Sequence, residues 1–459
     1  MTAMTAQHQH LVGSPVSPQV VVITRRKCPP TTRVEHVLLF LTILLLPLEQ
    51  QLPVIGRFSF LFVLFVVSSI YVVIRRFDSL VYVWNHRVFL VSYVFIFISL
   101  VLETYSPFAR YREVISTAQM FIGAIIIATL CRDIEALKRF MFGCILAGVV
   151  ASFYLFLSVY GTLQGIKATD FSEATTVRAE VFDDESMQVK QVNSFALSNS
   201  VPPAAAAALA LALMSRSTFV RYSLFGITAF CFIASFLPFS RGVIASTLLA
   251  CMAVLLAYGR ANRGASFQRF IQVIVVILGL GMCMLLWVPS AVFARLTVPS
   301  GTSYEGSPDP RAKVYNAALA HLPEYWLVGV GAGNFWGPWG QRNGFLLPGK
   351  RAVIGVHNAF VQLVIFWGLP SLLLLIVIIY YAYKCFPKKC GDNPFSLAIL
   401  GFTVTALVLM WVSHSLYSKS YSLALGVLIG SRCWLWPAGE TQFLGKIVRK
   451  TLTKSGTAS

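Results

Sequence analysis

Twelve apolar runs divide this chain, and no other feature restricts its fold as strongly. They lie at 35–49, 58–75, 88–103, 114–131, 140–161, 193–214, 220–239, 242–259, 270–290, 357–383, 394–413 and 417–436. A hydrocarbon core of about 30 Å takes roughly 20 helical residues to cross, and inside it only helices or closed barrels satisfy their own backbone groups. Runs of this length specify helices, so the expected fold is an all-α polytopic membrane protein of about twelve transmembrane helices. Only 12% of the residues are charged against 57% hydrophobic, too few charges to keep 459 residues dispersed in water. Two runs carry local signals. Pro47 predicts an early exit from the first, and the alanine-rich stretch within 193–214 predicts close helix packing.

The net charge of +19 does not indicate a nucleic-acid partner. The basic residues sit in short segments between apolar runs rather than in one patch or stripe. Placing the N-terminus in the cytosol and alternating sides puts 23 of the 37 Lys and Arg residues inside, and 12 of the 18 acids outside. Every inside segment then holds at least two basic residues, as the positive-inside rule requires. The expected organisation follows. Residues 1–34 form a cytosolic tail and 35–290 hold nine spans, with an outer loop at about 162–192. A large outer loop covers 291–356, three spans cover 357–436, and a second cytosolic tail covers 437–459. The large loop contains RAKVYNAALAHLPEYW, read as one helix with Arg311, Tyr315 and Ala318 on one face.

Candidate chemistry lies on the outer side. Arg241 stands at a membrane boundary, at the start of an apolar run where free backbone N–H groups favour anions. A lipid-snorkelling arginine is the alternative reading. Arg311 opens the loop helix and Arg178 lies in the earlier outer loop. Three such guanidinium groups suit a phosphorylated ligand, because arginine matches phosphate oxygens in bidentate fashion. His357 stands where the large loop re-enters the membrane, followed by Asn358. A neutral imidazole there can take a proton from a hydroxyl. The glycine string Gly329, Gly331, Gly333 mimics a nucleotide loop but lacks a βαβ unit, and it reads as a flexible turn. Asp183, Asp184 and Glu185 read as a solvated acidic run. No metal or cofactor motif is expected.

The order of these elements resembles the O-antigen ligase and polymerase superfamily. The residues that carry the resemblance are Ser240-Arg241-Gly242, Arg311 with Tyr315, Ala318 and Leu319, Gly329 to Phe335, His357-Asn358 with Phe360, and Gly368-Leu369-Pro370. The resemblance implies a multi-pass glycosyltransferase of the GT-C type in the bacterial inner membrane, with both termini cytosolic and a periplasmic site. It implies an undecaprenyl-pyrophosphate-linked O-antigen donor and a lipid A–core acceptor. It assigns pyrophosphate binding to Arg241 and Arg311, and a role as base or positioner to His357. Arg178, Tyr315, Asn358 and Asn193 follow as substrate-binding residues, with Asn199 competing for the place of Asn193. An O-antigen polymerase and a protein O-oligosaccharyltransferase share this pattern. A lipid-linked glycan transporter is the reading from another class; it would use the arginines without a base.

Overall fold

The computed structural model describes residues 31–45, 54–55, 58–163, 194–238, 240–261, 310–345, 353, 355–387, 390–412 and 419–435. The apolar run at 270–290, Arg178 and Asn193 lie outside the described residues. The described chain is helical apart from a two-residue antiparallel pairing of Val54–Ile55 with Phe58–Ser59. Its principal helices are α1 (Arg33–Leu44), α2 (Phe60–Arg75), α3 (Phe77–Trp84), α4 (Arg87–Thr104), α5 (Arg112–Leu130), α6 (Ile134–Leu163), α7 (Ser194–Met214), α8 (Thr218–Ala234), α9 (Arg241–Ala261), α10 (Pro310–Ala320), α11 (Ala359–Lys384), α12 (Pro394–Val412) and α13 (Lys419–Gly430). Among the described residues six helices, α4, α5, α6, α9, α11 and α12, are long and apolar enough to cross a membrane; the apolar stretches of α2, α7, α8 and α13 are shorter.

The alanine-rich α7 is the central helix. Ala204 to Ala208 are wholly buried, and α7 packs on α6, α8, α9 and α12. Gly148 of α6 leaves no room for a side chain against Ala204, and Gly401 of α12 leaves none against Ala206. Small residues on both sides let the backbones approach, as the composition of this run predicts.

One end of the bundle is basic and tied by ions. Glu35, buried at the start of α1, receives Arg132 Nη2 from the end of α5 at 2.8 Å and Arg76 Nη2 from the end of α2 at 3.1 Å. Two arginines expected only as topology signals therefore hold three helix ends together. Beside them Asp133 accepts from the Thr31 hydroxyl, and its other oxygen caps α6 through the Ala136 N–H at 2.7 Å.

Four sequence expectations are corrected here. The segment 76–87, read as a connector, contains the amphipathic α3. Helix α6 begins at Ile134 rather than near 140, because Glu135 pairs along the helix with Lys138 and Arg139 and so extends it beyond the apolar run. The single loop helix is two: α10 ends at Ala320, and a short turn restarts at Leu322–Tyr325, since Pro323 has no N–H to continue the ladder. The run at 357–383 is a broken helix, with non-helical backbone at Trp367 (φ −135°) and Gly368 (φ +69°) ahead of Pro370.

Candidate functional site

The break in α11 receives the large loop. Val330 N–H donates to the Ile365 carbonyl at 2.8 Å, Gly331 N–H to Phe366 at 2.9 Å, and Leu369 N–H to the Trp326 carbonyl at 2.8 Å. Backbone groups freed by the break are thus satisfied by the loop, which a polar group at membrane depth requires. Glu103, wholly buried at the end of α4, fixes the next segment. Its two carboxyl oxygens accept from Ala332 N–H at 2.7 Å, Gly333 N–H at 2.9 Å, Arg110 N–H at 2.8 Å and Trp367 Nε1 at 3.0 Å.

The glycine string is therefore not a flexible turn. Gly329 and Gly331 take positive φ (81° and 82°), and side chains at Gly329, Gly331 and Gly333 would strike the backbone of Phe366, the side chain of Ser106 and the backbone of Phe108. These glycines dock the loop on protein. Behind them Phe335, Trp339, Phe345 and Phe366 form a cluster of aromatic contacts with Phe335 at its centre. Tyr325 Oη reaches the Ala318 carbonyl at 2.6 Å and ties α10, with Arg311 and Tyr315, to the same body. Ala318 is buried and Tyr315 half-buried on the α10 face predicted from their spacing.

His357 stands just before Asn358, the N-cap of α11, and is the sole non-glycine residue at positive φ (55°) among those described. Its turn is held on both sides. Asn358 caps α11, its Oδ1 accepting from Phe360 N–H at 3.0 Å and Val361 N–H at 3.1 Å. The buried Gln362 accepts from Val356 N–H through Oε1 at 2.9 Å. A left-handed conformation costs a residue with a Cβ roughly 1–2 kcal/mol and persists where its surroundings impose it. The capping assigns the Asn358 carbonyl oxygen to the backbone, so this residue holds the His357 turn and keeps only its amide N–H groups for a ligand.

The start of α9, at Arg241, lies on the same end of the bundle. A side chain at Gly242 would strike Val412 at the end of α12, and the neighbouring Trp411 ring lies 6.0 Å from Phe360 at the start of α11. The end of α12 thus gathers the helix starts that carry Arg241 and His357.

A second histidine is oriented in the loop. His321 Nδ1 lies 2.6 Å from Glu324 Oε1, and Trp339 Nε1 donates to Glu324 Oε2 at 2.9 Å. These two hydrogen bonds, that of His321 first, hold the Glu324 carboxyl below the usual carboxylate range.

Glu103 and Gln362 were not identified from sequence. Glu103 reads there as a boundary charge, and Gln362 as a polar residue inside an apolar run; only the folded contacts reveal them.

Among the described residues, ten apolar helices, six of them long enough to span, together with a helical loop docked at one end, define a polytopic membrane protein. Residues 226–376, about a third of the chain, match the family model described as O-Antigen ligase. Over this segment the chain is similar to the O-antigen ligase family. The matched segment contains Arg241, Arg311, Tyr315, His357 and Asn358; Arg178 and Asn193 precede it. Neither the comparison with curated proteins nor that with solved structures finds a match.

Proposed function

We propose that the protein is an O-antigen ligase. It transfers the glycan of undecaprenyl pyrophosphate to a sugar hydroxyl of lipid A–core, on the periplasmic side of a twelve-span inner-membrane GT-C-type enzyme. The observation that carries this reading is the strained, doubly held His357, gathered with the helix start of Arg241 inside the family-matched segment.

In this reading Arg241 and Arg311 bind the pyrophosphate, with Arg178 as a further contact from the earlier loop. Positive charge stabilises the leaving group as the anomeric C–O bond breaks and its electron pair passes to the phosphate oxygen. The acceptor hydroxyl forms the new bond from the opposite face, and its proton goes to His357, so that the anomeric configuration inverts. Tyr315, Asn193 and the Asn358 amide contact the substrate. The strain at His357 is consistent with a side chain selected for its position rather than for backbone comfort.

Transfer by the purified protein from lipid-linked glycan to lipid A–core tests the reading. Ligated product that disappears in His357→Ala is expected. Lengthening of the lipid-linked glycan instead would make the enzyme a polymerase.

A further inference from the structure

The segment Trp326–Val328 exposes a row of large apolar side chains: Trp326 is 47% exposed, Leu327 52% and Val328 54%. A loop in water seldom shows such a row, and contiguous exposed apolar surface marks an interaction site. Three observations identify what covers it. First, the backbone of this segment and of the residues just after it is joined to the interior of a candidate membrane span, not to its end. Trp326, Val330 and Gly331 bond to Leu369, Ile365 and Phe366, ten, six and seven residues beyond the first residue of α11. Second, the backbone N–H groups that directly follow the row are paired. Gly329 N–H bonds to the Tyr325 carbonyl at 2.9 Å, and the N–H groups of Ala332 and Gly333 end on Glu103. Third, the α11 break adjoins a lipid-type surface. A side chain at Gly368 would strike the Leu327 and Val328 backbone, and Leu373, Ile376 and Val377 follow on α11 with 52%, 49% and 37% exposure.

We infer that Trp326–Val328 is a membrane-seated ledge, its apolar side chains in the acyl-chain and headgroup boundary and its backbone joined to α11 through the Trp326 carbonyl, with the exposed Glu324 on the aqueous side. Irregular backbone is tolerated at such depth where protein satisfies it, and a tryptophan is at home at the interface. The large loop is accordingly fixed in height against the bilayer. The inference rests on the fold alone and stands or falls independently of the transfer reaction.

Spin labels at Leu327→Cys and Val328→Cys, in the full chain in nanodiscs with its native cysteines replaced, test it by collision with oxygen and with a water-soluble nickel chelate. A label at Arg342→Cys serves as the aqueous reference. Labels at 327 and 328 should favour oxygen, and the label at 342 the chelate. Labels at 327 and 328 that meet the chelate as readily as the one at 342 would overturn the inference. Brominated phospholipid provides a second readout with the native cysteines in place. It should quench a smaller share of the fluorescence in Trp326→Phe than in the unaltered chain; an unchanged share would count against the ledge.

Discussion

Glu103 and Trp367, 264 residues apart in the chain, meet through a 3.0 Å hydrogen bond from the indole Nε1 to the carboxyl group. That bond sits at the crossing of α4, the break in α11 and the glycine-rich part of the large loop, and three backbone N–H groups end on the same carboxyl. Removing the acceptor leaves four donors unpaired, three of them buried. At roughly 1–3 kcal/mol for each buried group left unsatisfied, Glu103→Ala should cost at least about 3 kcal/mol. Glu103→Gln should not rescue it, since one oxygen becomes an amide NH₂ facing donors. Thermal unfolding in detergent, with limited proteolysis of the large loop, checks both variants.

The glycines divide into two classes with opposite expectations. Gly333→Ala and Gly331→Ala would drive a methyl group into Phe108 and Ser106, so both should destabilise severely and loosen the loop. Gly226 and Gly259 are helical with open space around them. Their replacement by Ala should be neutral or stabilising by up to about 1 kcal/mol. Melting temperatures of the four variants decide this.

At the candidate site, stability and activity should part. His357→Gly relieves the left-handed conformation and His357→Ala does not, so the glycine variant should be the more stable by about 1 kcal/mol. Both should lose transfer by roughly 10²-fold or more, the contribution of a positioned base. Asn358→Asp retains a capping oxygen, whereas Asn358→Ala should cost about 1 kcal/mol. Paired unfolding and transfer measurements separate these effects.

Glu324 gives a pH prediction with a definite sign. Its carboxyl is held below its usual value of 4.5, by His321 first and then by Trp339. A lowered folded-state value means that the ion adds stability above the ordinary pKa, and that this is lost as pH falls through the lowered value. The side chain is half exposed, so solvent screening keeps the contribution small. The Trp339 indole N–H resonance should shift as pH drops below 4.5, and in Glu324→Gln it should not.

Much of this architecture is legible in the sequence, because apolar runs state helix length directly. Eleven of the twelve expected spans coincide with helices, and the alanine-rich run packs as its composition requires. The misses have physical causes. Hydropathy ends a helix where charge begins, yet the Glu135 pairs carry α6 further; it also passes over α3, which is too short to cross a bilayer. Glycine spacing signals close approach without saying to what, and here the partners of Gly331 and Gly333 lie more than 200 residues away. At the candidate site the residue types at 241, 311 and 357 were readable, but the strain at His357 and its support by Gln362 arise only in the fold.

If His357 serves glycan transfer onto a lipid-anchored acceptor, one reconstitution decides it. Purified protein is mixed with undecaprenyl-pyrophosphate glycan and lipid A–core, and the product is resolved on a gel beside the same reaction with His357→Ala. Ligated lipopolysaccharide is expected from the unaltered chain and none from a folded His357→Ala that still binds the donor lipid. Undiminished ligation by that variant would contradict it.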